Sequence, residues 1–312
     1  MKPLSQPQPG FDLANVSPTV SVVIPVFNDA ARLGYCLAAL ETQTFPGDKY
    51  EVIVVDNNST DNVKQLVGNF SHAVYVHESR PGSYAARNAG IKCAKGVVVA
   101  FTDSDCIPAT DWIERGVVRL QQTPNCGLVA GKVNIFFKDP ERPTAVELYE
   151  RINAFRQHDY VRAQRFGATA NVFTLRAVLD HVGPFNSDLK SSGDREWGQR
   201  VAGAGYSLVY ADDVQVSHPA RRSLKEFYKK YVRILSGHYD LRIKNTSSFG
   251  DFIIGLAKDL ARPCIAVPKA FLDPRLRGIE QKCKVALVIV CLGCVRAWGR
   301  IQMQFARPSD IR

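Results

Sequence analysis

Asp103-Ser104-Asp105 places two carboxylates one residue apart, directly after the apolar run Val97–Thr102. Carboxylates so spaced can converge on one hard divalent cation, Mg2+ or Mn2+, which takes oxygen ligands and commonly bridges diphosphate oxygens. A cation there would neutralise charge developing on a departing nucleotide diphosphate. Taken alone, the triplet is also what a solvated turn looks like. Its place after an apolar strand, downstream of a second acidic turn at Asp56, favours the metal.

The elements needed to hold these acids are legible from hydropathy. Val20–Val26, Glu51–Val55, Ala73–His77 and Val97–Thr102 read as strands, three of them continuously apolar. Helical patterns near Ala30–Thr42, Asp61–Phe70, Ser83–Lys95 and Asp111–Gln121 separate or follow them. Strand-helix alternation with buried strands predicts an α/β fold whose parallel sheet is covered on both faces. Ligands of such sheets bind beyond the carboxyl ends of the strands. Asn28, Asp56-Asn57-Asn58-Ser59 and Asp103-Ser104-Asp105 stand there. Further strands are expected at Gly127–Phe137, Ala168–Thr174 and Ser207–Ala211, with a polar helix over Pro143–Arg165. From Ser223 the chain reads as mainly helical. Residues 1–18 read as a flexible leader.

Four segments follow one another in order: VSVVIPVFN (Val20–Asn28), VIVVDNNSTD (Val52–Asp61), RPGSYAARNAG (Arg80–Gly90) and VAFTDSDCIP (Val99–Pro108). Together they resemble glycosyltransferase family 2, the inverting nucleotide-sugar enzymes of GT-A fold. The resemblance covers Val20–His218; residues 219–312 carry no shared catalytic motif. It implies a Rossmann-like, mixed and mostly parallel sheet flanked by helices, with a helical C-terminal extension. The nucleotide-sugar half would occupy 19–108, the acceptor half 109–220, and a basic helical region 221–312.

The resemblance also implies roles. Pro25, Phe27 and Asn28 lie where the family holds the nucleoside, and Asp56 matches the carboxylate that accepts from a uracil imide or another base edge. The alternative for Asp56 is a cap or turn acid. Asn57-Asn58-Ser59 would serve as turn and capping residues first, ribose contacts second. Arg80, Ser83 and Arg87 open a helix whose amides favour a diphosphate, with Ser104 and Asp103 beside it; the alternative for Arg87 is a brace on the Asp103 loop. Asp103, Asp105 and His218 form the implied Mn2+ or Mg2+ ligand set. Asp194, in Ser192-Gly-Asp-Arg-Glu-Trp197, matches the general base of a single displacement. Gly193 stands where the family usually has an acid, which makes Glu196 a rival base. Asn171 lies on the strand that floors the acceptor cleft; Trp197 either stacks on an acceptor sugar or packs. A catalytically degenerate nucleotide-sugar-binding module of the same fold is the competing function.

Composition bounds the rest. The 312 residues suffice for one α/β domain of roughly 220 residues plus an appendage. Met1–His218 holds 21 Lys+Arg against 23 Asp+Glu, a net of −2, whereas Pro219–Arg312 holds 19 against 7, a net of +12. A basic tail on a near-neutral body suggests an anionic membrane surface, and hence a cytoplasmic enzyme peripheral on the cytoplasmic face of the membrane. Nucleic acid is not expected, since no interleaved aromatic platform or zinc module accompanies the charge. Val285–Val295 is apolar for eleven residues, short of the about 20 that cross a bilayer. It predicts a buried or interfacial helix. The expected partners are a UDP-sugar donor and a saccharide or lipid-linked acceptor. Eight scattered cysteines predict small buried hydrophobes in a reducing compartment.

Overall fold

A computed structural model describes residues 19–230, 234 and 249–305; the leader at 1–18 lies outside them. Two compact units result. Unit 1 comprises residues up to Asn134, Phe155–Asp188 and Gly193–His218; unit 2 comprises Ile135–Ala154, Leu189–Ser192 and Pro219–Arg312.

One eight-stranded sheet runs in the order β3-β2-β1-β4-β7-β6-β8-β5. Its strands are β1 (Val20–Val26), β2 (Tyr50–Asp56), β3 (Ala73–His77), β4 (Val98–Thr102), β5 (Ile107–Pro108), β6 (Cys126–Phe136), β7 (Asn171–Leu175) and β8 (Ser207–Pro219). The first four in space are parallel, with Val26 opposite Asp56 and Val23 opposite Phe101. β7 then pairs antiparallel with both β4 and β6, and β5 with β8. The parallel pairs thus lie in the first half of the chain, where three of the four strands are continuous apolar runs.

Helices α1 (Ala30–Glu41), α2 (Val63–Val67), α3 (Ser83–Cys93) and α4 (Trp112–Gln122) connect these strands. Leu33, Cys36, Leu37 and Leu40 form the buried stripe of α1, the spacing a helix requires to bury one face. On α3, Gly90 lies so close to the sheet that a Cβ would stand 2.4 Å from Val23. Only glycine permits that approach. The chain lays down β1, β2 and β3 in one direction and then places β4 on the other side of β1. The connections diverge there, and a crevice opens at the carboxyl ends of β1 and β4.

Beyond α4 the expected helix over Pro143–Arg165 is broken. α5 (Ala145–Asn153) starts from a Thr144–Glu147 capping box and stops; the short turn α6 (Gln157–Asp159) and a π turn (Tyr160–Gln164) follow. Next come α7 (Arg176–Val182) and α8 (Gly193–Gly203).

Unit 2 has its own core. Leu148 and Ile152 of α5 pack with Ala270, Leu276, Val285 and Ile289, while Val146 joins Phe227, Val288 and Leu292. Glu150, 1% exposed, receives Arg221 at 2.8 Å and Lys230 at 3.2 Å. Burial would raise that carboxyl, but the two cations hold it below the usual range. Two long helices complete the unit: α9 (Phe249–Leu272) and α10 (Gly278–Phe305). The eleven-residue apolar run is thus the middle of a 28-residue helix. Its stretch Gly278–Gln302 has the length and composition to cross a membrane, so the argument from a short run does not hold. Regular hydrogen bonding carries the helix well past the apolar residues at both ends. The cysteine expectation is met in part: Cys36, Cys106 and Cys126 are buried, whereas Cys93, Cys264, Cys283 and Cys294 are exposed.

Candidate active site

The loops beyond β1 and β2 are stitched to each other. Asn28 turns the chain with a φ of 51° and Asn58 with 66°, the left-handed region that asparagine tolerates better than most residues. The Asn28 amide donates to Ser59 Oγ at 2.9 Å, and its Oδ1 accepts from the Thr60 amide at 2.7 Å. Pro25 is half-buried on β1, and Phe27 presents a 62% exposed ring at its exit. Asp56, a residue 5% exposed, closes β2; Oδ1 accepts from the Ser59 amide at 2.9 Å and Oδ2 from the Tyr75 hydroxyl at 2.8 Å. Burial pushes this acid up, but the Ser59 and Tyr75 hydrogen bonds and nearby His77 pull it below the usual carboxylate range. It stays an anion and an acceptor.

Asn57 spends its whole amide on the next loop. Its Nδ2 donates to the carbonyls of Glu78 and Arg80 at 2.8 and 2.7 Å, and its Oδ1 accepts from the Gly82 amide at 2.7 Å. This orders the start of α3, where Gly82 adopts a φ of 128° that other residues rarely take and Ser83 begins the helix. Arg80 reaches Asp188 at 2.6 Å on the surface.

Arg87, 4% exposed, ion-pairs with Asp103 and also donates to the Ser83 carbonyl at 3.4 Å. It therefore braces the Asp103 loop. Its Nε is buried with no hydrogen-bond partner among the described residues. Ser104 Oγ donates to Asp29 Oδ2 at 2.9 Å, and Asp29 Oδ1 receives Arg32 at 2.6 Å. These bonds tie the loop beyond β4 to the loop beyond β1, across the crevice that the topology opens. Asp105 lies 3.4 Å from His218 Nε2 and 3.3 Å from Arg32. His218, 3% exposed, sits near the end of β8 with its ring 4.7 Å from that of Phe155. Burial raises the Asp105 carboxyl above its usual range, His218 and Arg32 acting against Asp103 and Asp29.

This crowding of acids with an imidazole has the donor chemistry of a Mn2+ or Mg2+ site. Among the described residues, no three His, Cys, Asp or Glu side chains converge on a complete metal shell. The pair Asp105 and His218, with Asp103 close by in the chain, has the donor types for an incomplete metal site.

Asp194 and Glu196 open α8 and differ sharply. Glu196 holds Arg200 through two hydrogen bonds, 2.7 and 3.0 Å, and Arg200 in turn donates to the carbonyls of Val182 and Pro184. Glu196 is a brace. Among the described residues Asp194 accepts on Oδ1 alone, from the Arg195 amide at 2.9 Å and the Tyr84 hydroxyl at 3.3 Å. Burial raises its pKa above the usual value, outweighing the Arg195 amide, Arg87 and Tyr84.

On the acceptor side, Trp197 follows the packing alternative and Asn171 departs from the expected acceptor contact. Trp197 is 1% exposed, donates its indole N–H to the Gly183 carbonyl at 3.0 Å and packs 5.2 Å from Phe185. It cannot stack on a sugar. Asn171 is fully buried, donating to the carbonyls of Lys132 and Val214 and accepting from Trp112 Nε1, all at 2.9 Å. It locks the sheet and has no group left for an acceptor. Conversely, the sequence reading passed over Asp29, Arg32, Tyr75 and Tyr84. Asp29 and Arg32 adjoin Asn28 at a strand exit, and Tyr84 stands three residues before Arg87 on one helix face, 5.8 Å from its guanidinium. Tyr75 had no comparable signal.

The Glycosyl transferase family 2 model matches residues 21–183. Glycosyltransferase AglE of Haloferax volcanii is 36% identical over 291 residues, 92% of this chain and 93% of that protein. A Methanococcus voltae dolichyl N-acetyl-alpha-D-glucosaminyl phosphate 3-beta-D-2,3-diacetamido-2,3-dideoxy-beta-D-glucuronosyltransferase is 23% identical, covering 68% of this chain and 70% of its own. Among solved structures, mannosyltransferase PcManGT from Pyrobaculum calidifontis, in complex with GDP-Man and Mn2+, has a TM-score of 0.64 at 21% identity. It covers 98% of this chain and 91% of its own. S. aureus TarS 1-349 in complex with UDP-GlcNAc has a TM-score of 0.51 at 17% identity over 93% of each chain. Both likenesses show a GT-A fold.

Proposed function

Because the chain belongs to glycosyltransferase family 2, we propose that it transfers a sugar from a nucleoside-diphosphate donor to a hydroxyl acceptor with inversion. The observation that carries this reading is the crevice at the ends of β1 and β4, where Asp103, Ser104 and Asp105 meet Asp29, Arg32, Arg87 and His218. Asp56, held as an anion, accepts from the imide N–H of the base, and uracil and guanine both offer such a donor. A UDP-sugar is the expected donor. Phe27 gives the base an apolar neighbour, and the amides at the start of α3 favour the diphosphate.

Asp194 is the general base. Its Oδ1 is pinned by Tyr84 and Arg195 while Oδ2 accepts no hydrogen bond among the described residues. The acceptor O–H proton passes to Asp194 as its oxygen bonds the anomeric carbon. The bond from that carbon to the diphosphate breaks, and its electron pair leaves on the diphosphate oxygen. No covalent sugar-enzyme stage occurs, so the anomeric configuration inverts. Asp105 and His218, with Asp103, would hold Mn2+ or Mg2+, which when bound neutralises the leaving diphosphate.

The acceptor is a lipid-linked saccharide at the cytoplasmic face of a membrane, an assignment supported by the Methanococcus relative's dolichyl substrate. Unit 2 is the docking element. Ile254, Ile265, Leu272, Ile279, Leu287 and Trp298 are all more than half exposed, in a segment whose net charge is +12. Apolar side chains entering the acyl boundary, and lysines and arginines at the headgroups, are the pattern of an interfacial helix. A panel of nucleotide sugars with Mn2+, followed by thermal shift and by product release on lipid-linked acceptors, tests the whole reading. One UDP- or GDP-sugar stabilising the protein and turning over is expected; stabilisation with no product on any acceptor indicates a degenerate binding module. Flotation with anionic but not neutral liposomes tests the docking.

A further inference from the structure

Tyr84 is buried, 6% exposed, on the first turn of α3, and its ring lies against the first residue of α8. An ideal Cβ at Gly193 would stand 2.7–2.8 Å from three of its ring carbons, a distance at which backbone or ring must move. Above that contact the Tyr84 hydroxyl meets Asp194, donating to Oδ1 at 3.3 Å. Burial pushes the Tyr84 hydroxyl well above its usual range, with the Asp194 charge adding to the rise, so it stays a protonated donor. Phe185 covers the ring from another side, with centroids 5.8 Å apart. One buried hydroxyl thus donates to one oxygen of the first acid in α8.

From this geometry we infer that Tyr84 is the positioning residue of the general base, and that Gly193 is glycine in order to admit it. The inference rests on Asp194 being the base. An acid at position 193 would carry a Cβ and could not coexist with this ring, so Tyr84 supplies from α3 the neighbour that such a side chain would otherwise provide. Its bond fixes the carboxylate's rotation and directs Oδ2 toward the incoming hydroxyl. It also favours the ionised form. The other charged or titratable groups facing Asp194 are Arg87 on α3, Asp103 beyond β4 and Tyr160 on the π turn; Arg87 works with Tyr84, and Asp103 works against it.

Tyr84→Phe keeps the ring and removes the hydroxyl, so it is compared with the parent and with Asp194→Asn in the full-length chain. Expected for Tyr84→Phe are a fall in kcat of about tenfold, the weight of one hydrogen bond to a charged group, and an unchanged donor KM. The acid limb of the kcat–pH profile should move to higher pH, because the ionised carboxylate loses a donor. Gly193→Ala, which displaces the ring, should lower kcat in the same way with donor KM unchanged. If Asp194→Asn is inactive while Tyr84→Phe matches the parent in kcat and acid limb, Tyr84 is a packing residue and the inference falls, with the base assignment intact. A Tyr84→Phe protein whose thermal midpoint, kcat and donor KM deteriorate together with the limb unmoved overturns it equally. Parental turnover by Asp194→Asn removes both.

Discussion

Asp105 and Asp194 on one side, and Asn171 and Trp197 on the other, are polar groups at least partly withdrawn from water in unit 1, yet their surroundings treat them in opposite ways. Asn171 and Trp197 have every polar atom matched by a rigid partner at 2.9–3.0 Å. Nothing remains to offer a ligand, and their whole effect is on stability. Asp105 and Asp194 are held above their usual pKa by burial, and Asp194 keeps one oxygen unmatched among the described residues. Those groups cost stability when ionised and become useful when a cation or a proton arrives. Satisfied polar groups build the frame; on the proposed mechanism, the groups that burial disfavours as ions perform the chemistry.

The sharpest break in this contrast is at Asp194. Asp194→Asn should reduce kcat by ~10³-fold at unchanged donor KM, measured with saturating acceptor. The same variant should be more heat-stable at pH 7. A carboxyl whose folded pKa is raised contributes stability fully present below its unfolded pKa and lost as pH rises through the folded value. The difference in thermal midpoint from the parent should shrink on acidification. A destabilised Asp194→Asn protein at neutral pH would place that residue in the frame.

Next in size, Asp105→Ala should weaken metal-dependent donor binding by ~100-fold or more, read by calorimetry with and without Mn2+. Equal donor affinity in both conditions would leave Asp105 only as a partner of His218 and Arg32. On the other side of the contrast, Asn171→Ala strands the Trp112 indole and two carbonyls, at about 3 kcal/mol. It should lower the thermal midpoint with kcat/KM per folded molecule unchanged. The smallest effect belongs to Trp197→Phe, at about 1–2 kcal/mol of stability and no change in acceptor KM. A raised acceptor KM would reopen a sugar contact near that residue.

How much could be read in advance follows the same division. The parallel half was legible because β1, β2 and β4 are buried on both faces and therefore continuously apolar, and because Asn and Asp mark their exits. β1 and β3 have the bounds that hydropathy indicates. Its antiparallel half was less so: β8 runs thirteen residues, to Pro219, where only Ser207–Ala211 reads as apolar. Which buried polar residues were scaffold was not legible at all. Asn171 on a strand and Trp197 beside two acids look in sequence like groups awaiting a ligand, and only their saturated partners show otherwise.

Local sequence by itself determined the alternation of strands and helices, the acidic turns at the strand exits and the basic, apolar character of the C-terminal segment. Each of these depends on a residue and its near neighbours in the chain. Tertiary structure alone decided that Arg87 braces Asp103, that Glu196 is consumed by Arg200, that Tyr84 meets Asp194 across 110 positions, and that α10 extends through 28 residues. The first three are contacts between side chains whose separation in sequence, or whose choice among several partners, is set by packing. The last is set by a backbone that continues its hydrogen bonds wherever one face of the helix finds a core.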